Sequence, residues 1–295
     1  MAYDNSAYWK GLHERLSGSL KAVGHPDLSE TANLLKYESE TKSLTESLSA
    51  LLPALSTRDA IEVLDVGAGT GYWTRVVAET LGRAGLSASM TALDISEDAL
   101  SGIRESLPGV KTVRQDLKTV DQDLFSGRFR LVNASYCLHH LTRASDFLNA
   151  LSFCAGSVAP GGFFILMDPV LTMPYSPFSV LEFSTYRGNG VVRPLHFIED
   201  FLAGRGLAKV SARPAVSFLL NGNIEAGSRL PYRVAEKAWR NLCRAVFRSE
   251  ARTRALARPL AAADELLKRR GRGYSASIVV FQKKEKEPGR AAISG

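Results

Sequence analysis

Apolar positions in YWKGLHERLSGSL, ETANLLKYESE and TKSLTESLSALL recur three and four residues apart, so the chain up to about residue 57 is expected to be helical. Asp27 or Ser29 is placed to cap a helix there, and Pro26 sits in the break before it. From Glu62 the pattern changes to short apolar runs separated by helical segments. IEVLDV predicts a strand, followed by a glycine turn and a helix from about Tyr72 to Leu81. SMTALDI is a second strand, SEDALSGIRESL a helix capped by Ser96, and VKTVRQD a third strand. FRLVNAS, the helix RASDFLNALSFCAGSV, a turn at Pro160-Gly161-Gly162 and the strand FFILMDP continue the alternation. After Pro169 come a long stretch rich in aromatics and prolines, the helix IEDFLAGRGL, the sixth strand AKVSARPAVSF, a mostly helical insertion and a last strand, YSASIVVFQ. Strands alternating with helices predict an α/β fold, a doubly wound and mostly parallel sheet of seven strands.

The expected organisation is a helical cap or lid over 1–57 and a core over 58–217 and 274–283. An irregular segment (169–200) lies within that core, a helical insertion spans 218–273, and a tail over 284–295 is expected to be disordered. The 295 residues suffice for one large domain with a buried core, and 45% apolar with 23% charged residues is ordinary globular usage. No apolar stretch approaches the roughly 20 residues of a membrane helix. The start has no basic-then-apolar leader, so a cytoplasmic protein is expected. Cys137, Cys154 and Cys243 are odd in number and far apart, which fits free thiols and gives no metal spacing. Charge changes the picture in one place. The net +7 is concentrated in residues 229–272, which hold 13 basic against 4 acidic residues. Nucleic acid, an anionic substrate or a membrane surface could use that stretch, and so could plain solvent. No nucleic-acid motif accompanies it, so nucleic acid is not an expected partner.

The candidate chemistry begins at VLDVGAGTGYWT. Gly67, Gly69 and Gly71 follow an apolar strand and precede a helix, an order that sets backbone amides against a ligand at the strand's carboxyl end. A phosphate, an adenosyl group or a tight turn without ligand could each require such glycines. The spacing is G-x-G-x-G, and Tyr72 stands where a dinucleotide fingerprint would place its third glycine. Asp65, two residues before Gly67, suits an ammonium group better than a pyrophosphate. Asp94 ends the second strand, where a carboxylate can accept both hydroxyls of a ribose. Asp116-Leu117 ends the third, where an acid and an apolar neighbour can bind an adenine amine and cover the ring.

These residues together resemble the class I S-adenosylmethionine-dependent methyltransferases, with their Rossmann-like fold. The motifs are Asp65-Val-Gly67-Ala-Gly69-Thr-Gly71, Leu93-Asp94-Ile95, Gln115-Asp116-Leu117, Val132-Asn-Ala-Ser135 with Leu138-His139-His140-Leu141, and Pro160-Gly-Gly162. The resemblance covers roughly residues 60–168. It implies S-adenosyl-L-methionine as cofactor and S-adenosyl-L-homocysteine as product. Carried onto this chain, it sets the loop Gly67-Ala68-Gly69 to Gly71 against the methionine moiety and Asp65 near its ammonium. It sets Asp94 on the ribose, Ile95 beside the adenine, Asp116 on the adenine amine and Leu117 on the ring. The backbone of Asn133, Ala134 and Ser135 would face the amino-acid part. Many relatives carry an acid at the start of the fourth strand, where this chain has Arg130.

Methyl transfer asks chiefly for alignment in a dry pocket, with a general base only for a protonated acceptor. His139 and His140 follow the fourth strand and could take that proton. Tyr175, Glu182, Tyr186 and His196 could line an acceptor pocket, with Tyr175 the candidate for a catalytic role. Tyr3, Tyr8, Trp9 and Tyr37 in the helical lid could offer ring faces to a sulfonium. The expected partner is a small or medium organic acceptor, probed as O-, N- or C-methylation in specialised metabolism. Rival readings are cyclisation of the sulfonium compound itself with release of methylthioadenosine, an RNA- or lipid-surface methyltransferase, a non-catalytic adenosyl-binding module and, last, a nicotinamide dehydrogenase.

Overall fold

The computed structural model describes residues 25, 27–56, 60–172, 190–222, 224–226, 229–269 and 274–285. Helix α1 (Glu30–Leu55) is followed by β1 (Ile61–Val66), α2 (Tyr72–Arg83), β2 (Ala88–Asp94), α3 (Glu97–Ser106), β3 (Lys111–Arg114) and β4 (Phe129–Ser135). Then come α4 (Ala144–Ser157), β5 (Val158–Asp168), α5 (Leu195–Ala203), β6 (Leu207–Ser217), α6 (Arg229–Leu242), α7 (Glu250–Arg269) and β7 (Tyr274–Lys283). The seven strands are ordered β3-β2-β1-β4-β5-β7-β6. The pairs from β3 to β5 are parallel, and β7 runs antiparallel to both its neighbours. Val170–Leu171 and Arg193–Pro194 form a separate two-residue parallel pair.

Successive residues of a strand point to opposite faces, and both faces are covered here, which is why the strands read as nearly continuous apolar runs. Val63, Leu131, Ile165, Ile278 and Val280 pack into one core with Leu44 and Leu48 of α1 and Val77 and Leu81 of α2. Leu64, Val132, Phe164, Val279 and Phe281 pack into the other with Phe147 and Leu151 of α4 and Ile198 and Leu202 of α5.

The structure bears on three expectations. The two helical stretches from Glu30 to Leu55 are one helix with Pro53 in its last turn, N-capped by Ser29, whose Oγ accepts from the Ala32 amide. Pro160-Gly161-Gly162 is no turn between elements, since β5 runs through it. The β4–β5 register slips between Phe129 and Leu131, so the extra residues bulge out, with Gly161 at φ 72°. Gly162 is required by crowding, because a Cβ there would lie 2.9 Å from the carbonyl oxygens of Ala159 and Arg130. Arg130 itself donates to the Pro160 and Ala54 carbonyls, joining the bulge to the end of α1. The third concerns the segment expected as a lid.

Helix α1 is built into the fold. The insertion helix α7 runs along it. Asp264 is buried and accepts from Ser39 Oγ and the Ser217 amide, and Lys268 donates to Ser39 and Ser43 Oγ at 2.8 and 3.1 Å. Ser29 donates to Thr253, and Thr31 to Glu250. Tyr3, Tyr8, Trp9, Tyr175, Glu182, Tyr186 and the tail beyond residue 285 lie outside the described residues.

Candidate active site

Strand order reverses between β1 and β4, since β1 leads outward to β2 and β3 while β4 leads the other way. The helices that follow β1 and β4 lie on opposite faces of the sheet, which leaves a crevice at the carboxyl ends of the pair, so a ligand site is expected there. The structure has a cleft of about 910 Å³, measured to its open mouth, at that place.

The turn from β1 into α2 forms its floor. Gly67, Gly69 and Gly71 all have positive φ, at 68°, 53° and 78°. Their surroundings differ. A Cβ at Gly67 would collide with Cys137, and one at Gly71 would come within 2.8 Å of Ile103, so these two are demanded by packing between protein segments. A Cβ at Gly69 meets nothing within 4 Å. The space above Gly69 therefore belongs to the cleft. Gly67, Ala68, Gly69 and Thr70 line it, and Gly71 does not.

Asp94 organises the loop. Its Oδ2 accepts from the Gly69 amide at 2.8 Å and its Oδ1 from the Ser96 amide at 2.9 Å. The carboxylate also lines the cleft, with Leu93 and Ile95 beside it. Strand β3 is shorter than expected and stops at Arg114; the Gln115 amide still donates to the Asp94 carbonyl at 2.9 Å, and Gln115, Asp116 and Leu117 lie at the cleft's edge. Asp116 is steadied by the Lys118 amide at 2.9 Å.

Asp65 is placed differently from expectation. It is buried and absent from the cleft lining. The parallel register sets Asp65 beside Asn133, whose Nδ2 donates to Asp65 Oδ1 at 2.7 Å, and Thr74 from the first turn of α2 donates to Oδ2. Burial is the main reason its carboxyl is pushed up to about 6; the Thr74 and Asn133 hydrogen bonds pull the other way, and Asp94 adds to the rise. Asp65 thus bolts β1, β4 and α2 together directly below the loop. Asn133 and Ala134 are likewise buried away from the cleft, and only Ser135 of that trio reaches it.

Past Ser135 the chain enters the cleft wall. Tyr136 is the non-glycine residue with positive φ among the described residues, at 54°, a conformation that costs a bulky side chain about 1 kcal/mol or more. Its amide donates to the Met167 carbonyl at 2.8 Å and its hydroxyl donates to Glu40 of α1. Glu40 is wholly buried, ion-paired to Lys36 at 3.0 Å, and its carboxyl is raised by that burial against the pull of Lys36 and Tyr136. The Lys36 ammonium lies over the rings of Tyr37 and Tyr136, at 4.7 and 4.5 Å. Tyr37 stacks on Trp73 at 5.5 Å and meets Tyr72 edge-on at 4.8 Å. So Tyr37 lines the cleft as one wall of an aromatic corner made with Tyr72, Trp73 and Tyr136, and its ring already serves an internal cation.

The two histidines separate. His139 is buried outside the cleft; its amide and Nδ1 face the Asp168 carboxylate at 2.9 and 2.6 Å. His140 lines the cleft, with its ring 3.9 Å from that of His139. His196 is exposed on α5 and does not reach the cleft. Sequence reasoning placed Thr70, Gln115 and Leu141 in motifs without a role and missed Trp73, Tyr136 and Cys137, all on the lining. For Tyr136 and Cys137 the signal was position: they follow β4 directly at the switch point. Among the described residues no group of three or more His, Cys, Asp or Glu could hold a metal ion.

Residues 63–162 match a family model described as a methyltransferase domain. Residues 63–162 carry a methyltransferase domain. The matched segment runs from β1 to the β5 bulge and supplies every cleft residue except Tyr37. No curated protein matches the sequence. Solved structures share the fold at low identity. A candidate sarcosine dimethylglycine methyltransferase from Galdieria sulphuraria is 16% identical, with a TM-score of 0.53 over 84% of this chain and 85% of that one. A candidate methyltransferase from Bacillus halodurans is 17% identical, with a TM-score of 0.50 over 82% of this chain and all of that one. The CMeT domain of the citrinin polyketide synthase is 16% identical, with a TM-score of 0.50 over 83% of this chain and 52% of that one.

Proposed function

We propose that the cleft holds S-adenosyl-L-methionine across the β1–β4 switch point and that the protein methylates a small or medium organic molecule, leaving S-adenosyl-L-homocysteine. The observation that carries this is the open space above Gly69, bounded by Asp94 on one side and Asp116 with Leu117 on the other. The fit is chemical as well as spatial. Asp94 would accept the ribose hydroxyls while its other contacts hold the loop, and Asp116 would take the adenine amine with Leu117 and Ile95 against the ring. The loop amides and Ser135 would meet the amino-acid end. Asp65 would act on that end from beneath, by its charge and by fixing the loop. When bound, the cofactor supplies an electrophilic methyl group on a sulfonium.

The chain's own residues do the rest. Tyr37, Tyr72, Trp73, Tyr136 and Leu141 close the cleft with rings and apolar groups, excluding water where the charge on sulfur disperses. His140 is the lining group able to accept a proton from an acceptor hydroxyl or amine, and His139, held by Asp168, fixes the ring beside it. The alternative of cofactor cyclisation has no separate observation in its favour, and a distinct methylthioadenosine product would reveal it. The test is incubation of small-molecule extracts with the protein and cofactor, read by mass spectrometry. A mass gain of about one CH2 unit with S-adenosylhomocysteine release is expected, and its loss in Asp94→Ala. Full turnover by Asp94→Ala would refute the site.

A further inference from the structure

We propose that the exposed face of α6 docks the protein on an anionic lipid surface. The inward face of this helix is fixed. Trp239, and Cys243 and Phe247 in the π-helical turn that continues it, are buried in the core, and the Trp239 ring leaves no room for a Cβ at Gly222. On the opposite face Arg233, Lys237, Arg240 and Arg244 are exposed. Their spacing of four, three and four residues makes one cationic stripe along the helix.

At the start of the same stripe stand Leu230 and Val234, 74% and 61% exposed, the two most exposed large apolar side chains among the described residues. At about 100° per residue, Leu230, Val234 and Lys237 fall within roughly 60° of one another. A lone exposed leucine needs no explanation. Two apolar side chains one turn apart, in register with four cations, fit one surface chemistry: anionic headgroups facing the cations, with acyl chains within reach of Leu230 and Val234. Nucleic acid would use the cations and leave Leu230 and Val234 without a partner. Acids do little to neutralise the stripe. Glu236 on its flank pairs with Arg240 at 3.6 Å, and residues 229–269 hold 11 basic against 4 acidic residues. The helix also rests on a firm base. Glu225, shortly before it, accepts from the amide and hydroxyl of Thr172, just beyond the Val170–Leu171 pair.

The proposal stands apart from the methyl-transfer reading and is tested without cofactor or acceptor. The full chain is sedimented with phosphatidylcholine vesicles, alone or with about a third phosphatidylglycerol. Binding to the anionic vesicles alone is expected, falling as salt is added. Lys237→Glu/Arg244→Glu should weaken it by about tenfold or more, since each cation near such a surface is worth several-fold in affinity. Leu230→Ser/Val234→Ser should weaken it several-fold and leave the remainder more salt-sensitive. All four positions are exposed, and unchanged melting temperatures check that the variants fold. No binding to anionic vesicles, equal binding to both vesicle types, binding indifferent to Leu230 and Val234, or displacement of the vesicles by a short RNA duplex would each overturn the proposal.

Discussion

At the scale of single residues, the three glycines show why a motif needs its surroundings before it speaks. Gly67 and Gly71 serve contacts inside the protein, and Gly69 serves the cleft. The same substitution should therefore have two outcomes. Gly67→Ala drives a Cβ into Cys137 and should lower the melting temperature sharply. Gly69→Ala adds only the left-handed backbone cost of about 1–2 kcal/mol, yet should weaken S-adenosylhomocysteine binding by about tenfold or more, because its methyl enters ligand space. Calorimetry and thermal melts on both variants check this. Equal binding by Gly69→Ala and the unmodified protein would detach the cleft from the ligand. Asp94 and Asp116 stood out in the sequence as carboxylates at the ends of apolar strands, and both line the cleft while also bonding loop amides. Asp65 stood out in the sequence, but its hydrogen-bond partners did not. Only the β1–β4 register shows that its partners are Asn133 and Thr74, and sequence alone does not give register.

At the scale of elements, strands and their helices were readable because a doubly covered parallel sheet writes itself as apolar runs at regular intervals. The clasp of α1 by α7 was not, since Ser39 and Asp264 lie 225 residues apart and each alone looks like a surface residue. The bond from α1 to the cleft was hidden for the same reason. Lys36, Glu40 and Tyr136 read as two solvated charges and a loop aromatic, yet they form a buried network holding Tyr136 in its strained backbone. Buried ion pairs lose most when one partner is removed. Lys36→Met should cost about 3–5 kcal/mol in urea unfolding, by stranding the Glu40 carboxylate. Adding Glu40→Gln, which can still accept from Tyr136, should recover most of that loss. Simple additivity of the two single changes would show that the pair does not act as a unit.

For the whole molecule, two buried groups give opposing pH dependences. His25 donates from Nε2 to Asn221, and burial is the largest cause that lowers its pKa from 6.5 to about 4, with Lys36 adding to it. A lowered folded pKa means that its contribution is present above about 6.5 and lost as pH falls through about 4. Asp65 has the reverse sign. Its folded pKa of about 6 exceeds the ordinary 3.8, so its contribution is full below 3.8 and lost as pH rises through about 6. The melting temperature of Asp65→Asn relative to the unmodified protein should therefore climb between about pH 4 and pH 6, since the amide has no ionisation cost. A flat difference across that window would mean that Asp65 is not desolvated as described. All of this architecture converges on one place, the crevice where β1 and β4 part. The measurement that tests it most directly is a crystal structure with S-adenosylhomocysteine. The account predicts the adenine against Leu117 with its amine at Asp116, the ribose hydroxyls on Asp94 and the chain of the ligand passing over Gly69. Electron density for that compound anywhere else in the protein, or none at saturating concentration, would contradict it.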